Sequence, residues 1–125
     1  SSVMASMSVN KKDVSRWGIY KLNKRLNKKN FSIKKVIEKP SISNAPSNKA
    51  VIGRYILPKN IFLILEKIKP GKKEEIHITD AIQSLINEKE KFIAHNFSGK
   101  YLDCGTMSGY IKSTLEIAKL WNSAL

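Results

Sequence analysis

The chain has 125 residues, of which 42% are hydrophobic and 26% are charged, a balance that excludes an intrinsically disordered chain and favours one globular domain. No apolar run is long enough to cross a bilayer, and no apolar stretch behind a basic start predicts a signal peptide. The single cysteine, Cys104, excludes an internal disulfide framework. We therefore expect a cytoplasmic protein with no membrane partner.

The formal net charge of +13 is unevenly distributed along the chain. Residues 1–49 carry 12 Lys and Arg against 2 acids, whereas residues 50–125 carry 11 against 8. A basic front half can attract nucleic acid, acidic lipid or a phosphorylated small molecule. A solvated, lysine-rich surface explains the same composition, so charge alone does not identify a ligand.

The first half of the chain is predicted to be mainly β-structure. Alternating apolar residues predict strands over residues 3–5, 17–22 and 31–39, and a β-branched apolar run predicts a buried strand over 50–57. The polar segment 23–30 is predicted to be a hairpin tip, and 41–48 a loop. Pro40 ends the third strand because it cannot donate to a sheet ladder. Pro58 suits the first turn of a helix over residues 59–67.

The second half is predicted to be mainly helical. After a turn at residues 69–73, Thr79 is expected to cap a helix from Asp80 to about Glu90, with Ala81, Ile82, Leu85 and Ile86 on one face. Short strands are expected at 92–97 and 100–102. A last helix, over about 108–121, is expected to bury Ile111, Leu115 and Ala118. Interleaved strands and helices predict an α/β or α+β class with a mixed sheet.

Searches for familiar catalytic and metal patterns return little. His77 and His95 are isolated, which favours surface or structural roles, and Cys104 has no CxxC partner and is expected to be a packing residue. No two glycines are spaced as GxG, so the chain has neither a dinucleotide fingerprint nor a P-loop.

Polar residues and glycines near strand ends are the remaining candidates. Glu38 and Lys39 stand together where a strand must end, and ligands of open α/β sheets bind beyond strand ends. A carboxylate there can accept hydrogen bonds from sugar hydroxyls, and an ammonium can meet a phosphate. An exposed, unliganded pair is the alternative. Asp80 equally suits the first turn of a helix. Gly18 and Gly53, within β-like runs, indicate bulges or close backbone approach.

Several segments taken together carry a family resemblance. They are VSRWGIY (residues 14–20), VIEKP (36–40), APSNKAVIGRYIL (45–57), KPGKKEEIHITDAI (69–82) and GKYLDCGTMSGYIKSTLEIA (99–118). In this order they resemble the C-terminal half of bacterial UTP–glucose-1-phosphate uridylyltransferases, which are sugar-phosphate nucleotidyltransferases. The resemblance implies a Rossmann-like fold with a mixed sheet flanked by helices. Residues 1–125 would then be the sugar-phosphate-binding portion, without the N-terminal UTP-binding portion.

The resemblance also implies roles for individual residues. The Gly18 backbone would approach the glucose or its phosphate, Glu38 would bind glucose hydroxyls, and Lys39 would hold the sugar phosphate as the catalytic cation. Gly53 would allow close approach of the sugar, and Asp80 would supply one acidic ligand to Mg²⁺. The implied substrates and products are glucose 1-phosphate, UTP, UDP-glucose and pyrophosphate. The family resemblance also implies a homo-oligomer, and without the UTP-binding portion we expect the chain alone to be inactive.

Two other functions are compatible with the sequence. The chain is predicted to serve, alternatively, as a non-catalytic oligomerisation or complementation module, because half of a fold exposes apolar surface where its other half belongs. Nucleic-acid binding through residues 21–39, which hold 8 basic residues and 1 acid, is the third hypothesis. No helix-turn-helix, RNP-type or zinc pattern accompanies that stretch, so we expect nucleic acid not to be a partner.

Overall fold

The computed structural model describes residues 2–70 and 75–124. The strands are β1 (Ser2–Ser8), β2 (Ile19–Arg25), β3 (Asn30–Ile37), β4 (Lys49–Ile56) and β5 (Phe92–Asn96). The helices are α1 (Ile61–Lys67), α2 (Ile78–Asn87) and α3 (Met107–Asn122), with a 3₁₀ helix at Lys11–Arg16. None of these helices has both the length and the apolar character needed to cross a bilayer.

The five strands close on themselves in the order β1–β4–β2–β3–β5. β5 returns parallel to β1, from the pair Ser2 and Phe92 to the pair Ser6 and Asn96, and the other neighbours are antiparallel. The predicted mixed α/β class is therefore confirmed. Closure of the sheet was not predicted, because it depends on pairing between segments about ninety residues apart.

The core lies inside the closed sheet and beneath α2. Its fully buried members include Met4, Tyr20 and Phe92 from the strands. α2 adds Ala81, Ile82 and Leu85, with Ile86 packed partly buried against them, so the predicted apolar face of this helix is confirmed. A smaller cluster of Val14, Ile19 and Ala50 seals the other end of the sheet.

The hairpin is present, with a shorter tip than predicted. β2 continues to Arg25 and β3 begins at Asn30, so only residues 26–29 form the turn. The Asn27 side chain explains the tight turn, because its Oδ1 accepts the backbone N–H of Lys29 and of Asn30, each at 2.9 Å. β3 ends at Ile37, and Pro40 is buried just beyond it.

Several predictions in the helical half were wrong. α2 begins at Ile78, so Thr79 lies inside the helix; the His77 carbonyl accepts the Asp80 N–H at 3.0 Å, without a side-chain cap. Residues 100–102 form no strand, and Cys104 is exposed rather than packed. The helix α1 begins at Ile61, after Pro58 rather than around it. The predicted turn over 69–73 falls partly outside the described residues.

The predicted burial along α3 was also wrong. Ile111 is 52% exposed, Leu115 is 57% exposed and Ala118 is exposed, whereas Ser113 is the buried residue. The apolar periodicity correctly predicted a helix over this segment, but not the exposure of its apolar face. Nothing in residues 2–70 or 75–124 covers that face, so the covering surface does not belong to the described part of the chain.

Tyr20 gives the core a pH-dependent contribution to stability. Its side chain is fully buried and donates to the Ala5 carbonyl at 3.0 Å. Burial, and secondarily Tyr55, raises the pKa of this phenol far above its ordinary range. Because the pKa of the folded state lies above that of the unfolded state, the contribution is complete below about pH 10 and declines as pH rises further.

Tyr20→Phe is expected to lower the free energy of unfolding at pH 7 by about 1 kcal/mol, the value of the lost hydrogen bond. At pH 11 ionisation of Tyr20 in the unfolded state lowers the free energy of unfolding of the wild type by about 1.4 kcal/mol. The variant has no phenol at this position, so its stability does not fall in this way. Urea denaturation of both proteins at pH 7, 9 and 11 measures the difference. A difference that stays constant over this range would show that Tyr20 does not titrate on unfolding.

Candidate functional site

Gly18, Glu38 and Lys39 meet where β2 begins and β3 ends. A β-carbon at Gly18 would lie 3.0 Å from Oε2 of Glu38 and 3.3 Å from Cγ2 of Val51. The Lys39 N–H donates to the Trp17 carbonyl at 3.0 Å, and the Gly18 carbonyl accepts the Val51 N–H at 2.8 Å. Gly18 therefore leaves the space that the Glu38 side chain occupies, a reason for glycine here that is independent of any ligand.

Lys39 has an unusual backbone conformation. Its φ of 42° is in the left-handed region, which residues with a β-carbon rarely adopt. Its side chain is exposed, like that of Glu38. Lys89, just beyond α2, shares this left-handed conformation with φ 67°, so the backbone alone does not single out Lys39 as functional.

Gly53 lies at the centre of an irregularity in β4. Met4 pairs with Tyr55 and Ser6 with Val51, so three residues of β4 oppose the single residue Ala5. Gly53 has φ 70°, and a β-carbon there would meet no atom within 4 Å. The glycine is thus required by the backbone of the bulge, and the space beside it is open.

Tyr55 is within electrostatic range of the Glu38 carboxylate. Burial raises the pKa of the Tyr55 phenol, and the Glu38 charge and then Tyr101 raise it further. The Tyr101 ring meets Trp17 edge-on, with 5.1 Å between centroids. Phenols beside a carboxylate offer both an apolar wall and hydrogen-bonding groups, a combination suited to a sugar ring.

Two open cavities meet at Tyr101. One, of about 590 Å³, is lined by residues on both sides of Gly53 and by the 97–102 loop, and includes two cations, Arg54 and Lys100. The other, of about 710 Å³, lies between the 16–17 segment, the 100–103 loop and α3. An ion pair of 3.5 Å between Arg16 Nη2 and Asp103 Oδ2 joins its walls. Both volumes fall in the range of small-molecule sites, but Gly18, Glu38, Lys39 and Asp80 line neither cavity.

Asp80 lies on a neighbouring element. It is exposed in the first turn of α2 and, in the described part of the chain, forms no ion pair. One turn further along the same helix, Oε1 of Gln83 accepts the N–H of Val36 at 3.0 Å. This bond anchors α2 to β3 two residues before Glu38, so the helix that carries Asp80 borders the strand that Glu38 and Lys39 directly follow.

The described residues contain no group of three or more His, Cys, Asp or Glu side chains that could hold a metal ion. His95 pairs with Asn30, with 2.7 Å between Nδ1 and Oδ1, and the exposed His77 lies 3.7 Å from Glu75. The structural or surface roles predicted for both histidines are consistent with these contacts. A single exposed carboxylate such as Asp80 suits Mg²⁺, which commonly takes one or two protein carboxylates, waters and substrate phosphates.

The structure thus places Gly18, Glu38 and Lys39 close together where β2 begins and β3 ends, with Gly53 and Asp80 on other elements. Sequence reasoning missed the aromatic and cationic neighbours, namely Trp17, Arg54, Tyr55, Lys100 and Tyr101. The tyrosine of the IGRY segment follows Gly53 by two positions and was a usable signal. The 100–102 segment gave no signal of a functional residue, because its apolar and aromatic residues predicted a strand.

Comparison with known proteins extends this geometry. The profile of the nucleotidyl transferase family matches residues 2–119. UTP–glucose-1-phosphate uridylyltransferase 2 of Streptococcus pyogenes serotype M3 is 40% identical over 117 residues, covering 94% of this chain and 39% of that protein. UTP–glucose-1-phosphate uridylyltransferase 1 of Staphylococcus saprophyticus is 39% identical over 117 residues, covering 94% of this chain and 40% of that protein. The chain therefore spans about two fifths of the length of these curated relatives.

Solved structures match equally well. The crystal structure of an apo UDP-glucose pyrophosphorylase superposes with a TM-score of 0.87 at 42% identity, covering 94% of this chain and 42% of that one. A UDP-glucose pyrophosphorylase complexed with UDP-glucose gives a TM-score of 0.85 at 42% identity, covering 94% of this chain and 44% of that one. The fold is therefore the one that these nucleotidyltransferase structures have over the matched stretch.

Proposed function

Because this chain belongs to the nucleotidyl transferase family, we propose that it is the sugar-phosphate-binding portion of a UTP–glucose-1-phosphate uridylyltransferase. The observation that supports the proposal is the position of the exposed Glu38 carboxylate and Lys39 side chain together beside Gly18, where β2 begins and β3 ends. The relatives named for this reaction are 40% identical across nearly the whole chain, which supports the same chemistry.

The proposed reaction joins two phosphorylated substrates. A phosphate oxygen of glucose 1-phosphate attacks the α-phosphorus of UTP, the bond to the bridging oxygen breaks, and pyrophosphate leaves with that electron pair. UDP-glucose is the other product. This chemistry needs positioning and charge compensation more than a protein nucleophile.

Four side chains of this chain would supply those needs. The Glu38 carboxylate would accept hydrogen bonds from glucose hydroxyls, with the Tyr55 and Tyr101 rings as walls of the sugar pocket. The Lys39 ammonium would pair with the sugar phosphate and reduce its repulsion by the triphosphate. Close approach of the sugar at the Gly53 bulge, and of the sugar or phosphate to the Gly18 backbone, remain predictions.

Asp80 is proposed as the one ligand that this chain gives to Mg²⁺. Its exposed carboxylate suits that ion when phosphate oxygens and a second carboxylate complete the coordination. When bound, Mg²⁺ supplies charge neutralisation at the phosphates. The second acidic ligand and the UTP-binding loop are proposed to lie in the three fifths of the relatives that this chain does not match.

A complementation assay tests this function. The chain is mixed with the part of the Streptococcus pyogenes relative that it does not match, and UDP-glucose and pyrophosphate are measured from UTP and glucose 1-phosphate. We expect activity in the mixture and none from either part alone, because neither holds both substrates. A stable complex without UDP-glucose formation would contradict the catalytic proposal.

The exposed face of α3 favours a second function, that of a complementation or oligomerisation module. Its large apolar side chains are 49–76% exposed, and they are Met107, Tyr110, Ile111, Leu115, Ile117, Leu120 and Trp121. Such a face requires a partner. Lys100 bonds to the Glu116 carboxylate and, by that hydrogen bond and its charge, lowers the pKa of Glu116, so α3 is tethered by its polar side.

Two substitutions in the same mixture test whether assembly depends on the exposed apolar side chains of α3. Leu120→Glu is expected to prevent assembly with the complementary part, whereas Ile42→Glu, on an exposed loop, is the control. Sedimentation of the chain alone measures self-association. Self-association that persists when the complementary part is added in excess would favour the oligomeric module over the split enzyme.

A further inference from the structure

The β2–β3 hairpin carries a concentration of positive charge that the proposed reaction does not use. Between residues 21 and 37 there are seven Lys and Arg and no acid, and all seven are exposed. Within the described ranges, none of them forms an ion pair with a carboxylate. They are Lys21, Lys24, Arg25, Lys28, Lys29, Lys34 and Lys35, defined here as the basic hairpin.

Two cations of the basic hairpin lower the stability of the sheet. Lys21 and Lys35 are directly opposed in the antiparallel ladder, and like charges in that relation destabilise a sheet. An acid at either position would remove the repulsion and form a favourable cross-strand pair. The charge density of the basic hairpin therefore points to an anionic partner outside the chain.

Several hydrogen bonds hold the tip of the hairpin in one conformation. Two bonds to the Asn27 side chain close the turn, and the Asn96 N–H donates to the Lys29 carbonyl at 2.7 Å. The Lys29 ammonium also reaches Ser98 Oγ at 2.9 Å. Since the turn is fixed before it binds, little conformational entropy is lost when it meets a partner.

One apolar side chain projects at this tip. Leu26 is 48% exposed between Arg25 and Asn27. The single aromatic ring between residues 21 and 37, Phe31, is half-buried and has the Arg25 guanidinium and the Lys49 ammonium 6.0 and 5.8 Å from its centroid. It is therefore not free to stack on a nucleic-acid base, as single-strand binding requires. An aliphatic tip among cations suits the boundary of a lipid bilayer instead.

We propose that the basic hairpin binds an anionic membrane surface, with Lys and Arg near the lipid phosphates and Leu26 at the level of the acyl chains. This peripheral contact is independent of the proposed catalysis, and it replaces the sequence-based expectation that the chain has no membrane partner. Each Lys or Arg near an anionic bilayer strengthens binding by about fivefold.

The test is sedimentation of the full chain with vesicles of phosphatidylcholine and phosphatidylglycerol, and with vesicles of phosphatidylcholine alone. Binding is expected only to the anionic vesicles and is expected to weaken with salt. Lys24→Gln combined with Lys28→Gln is expected to reduce the partition coefficient by about 25-fold. Lys59→Gln combined with Lys67→Gln removes the same net charge from the α1 region and is expected to change it far less.

A second pair of variants tests the tip. Leu26→Ser is expected to weaken vesicle binding severalfold, whereas Ile42→Ser, at a side chain of nearly equal exposure, is expected to leave it unchanged. Equal losses from both lysine pairs would overturn the proposal, because net charge alone would then explain binding. If inorganic phosphate released more of the chain from the vesicles than chloride did at equal ionic strength, the hairpin would be assigned to a discrete phosphate site instead. The proposal would also be overturned if Lys24→Gln combined with Lys28→Gln abolished binding of the chain to a duplex oligonucleotide but left vesicle binding unchanged. The hairpin would then be assigned to nucleic acid.

Discussion

Replacing Lys39 by alanine is expected to lower the use of glucose 1-phosphate by about ten- to a hundredfold in the complemented enzyme, the loss of one charge-assisted hydrogen bond to phosphate. The side chain is exposed and supports no packing, so the fold is expected to persist. Steady-state kinetics with varied glucose 1-phosphate measures the effect. Unchanged kinetics would remove Lys39 from the site.

Two further variants distinguish the role of Lys39 from that of Asp80. Lys39→Gly is expected to lose the same activity while gaining about 1 kcal/mol of stability, because glycine adopts the left-handed conformation without strain. A loss of activity together with a gain of stability excludes misfolding as the cause. Asp80→Asn is expected instead to raise the Mg²⁺ concentration needed for activity, so the two positions have different signatures.

Replacing Phe92 by alanine is expected to lower the free energy of unfolding by about 3–5 kcal/mol, the range found for large aromatic side chains in cores. Phe92 is 2% exposed and begins β5, the strand that closes the sheet between β1 and β3. Small domains have only about 5–15 kcal/mol in total, so the variant is expected to be near its unfolding threshold. Urea denaturation followed by circular dichroism measures the change.

The control is Phe62→Ala on α1. Phe62 is 68% exposed, so the same chemical change is expected to alter stability by no more than about 0.5 kcal/mol. A loss below about 1 kcal/mol for Phe92→Ala, with two-state unfolding retained, would contradict the closed core between β5 and α2.

Local patterns were sufficient for most individual elements. A hairpin tip within residues 23–30 followed from Asn and Lys between β-like runs, although the turn itself is shorter, and the buried face of α2 followed from the spacing of Ala81, Ile82 and Leu85. These features depend on neighbours within a few positions of the chain. The capping of α2 was mispredicted, because His77 needs only its backbone carbonyl to begin the helix.

Features that join distant segments were beyond such reasoning. A bulge or close approach at Gly53 was predicted, but its register against Ala5 was not, and neither was the grouping of Trp17, Tyr55 and Tyr101 from three separate segments. The resemblance pointed to Gly18, Glu38 and Lys39, and their contact is a property of the fold. For α3, the sequence specified an apolar face without specifying what covers it.

The parallel ladder between β1 and β5 has a consequence for how the chain acquires its structure. Ser2 and Phe92 are ninety positions apart, so their pairing closes a very long loop and contributes to a high contact order. During synthesis on the ribosome, β1 stays without its parallel neighbour until residue 96 has emerged from the exit tunnel. We expect the β2–β3 hairpin to form early and the β1–β5 seam to form last, which makes nascent β1 a target for chaperones.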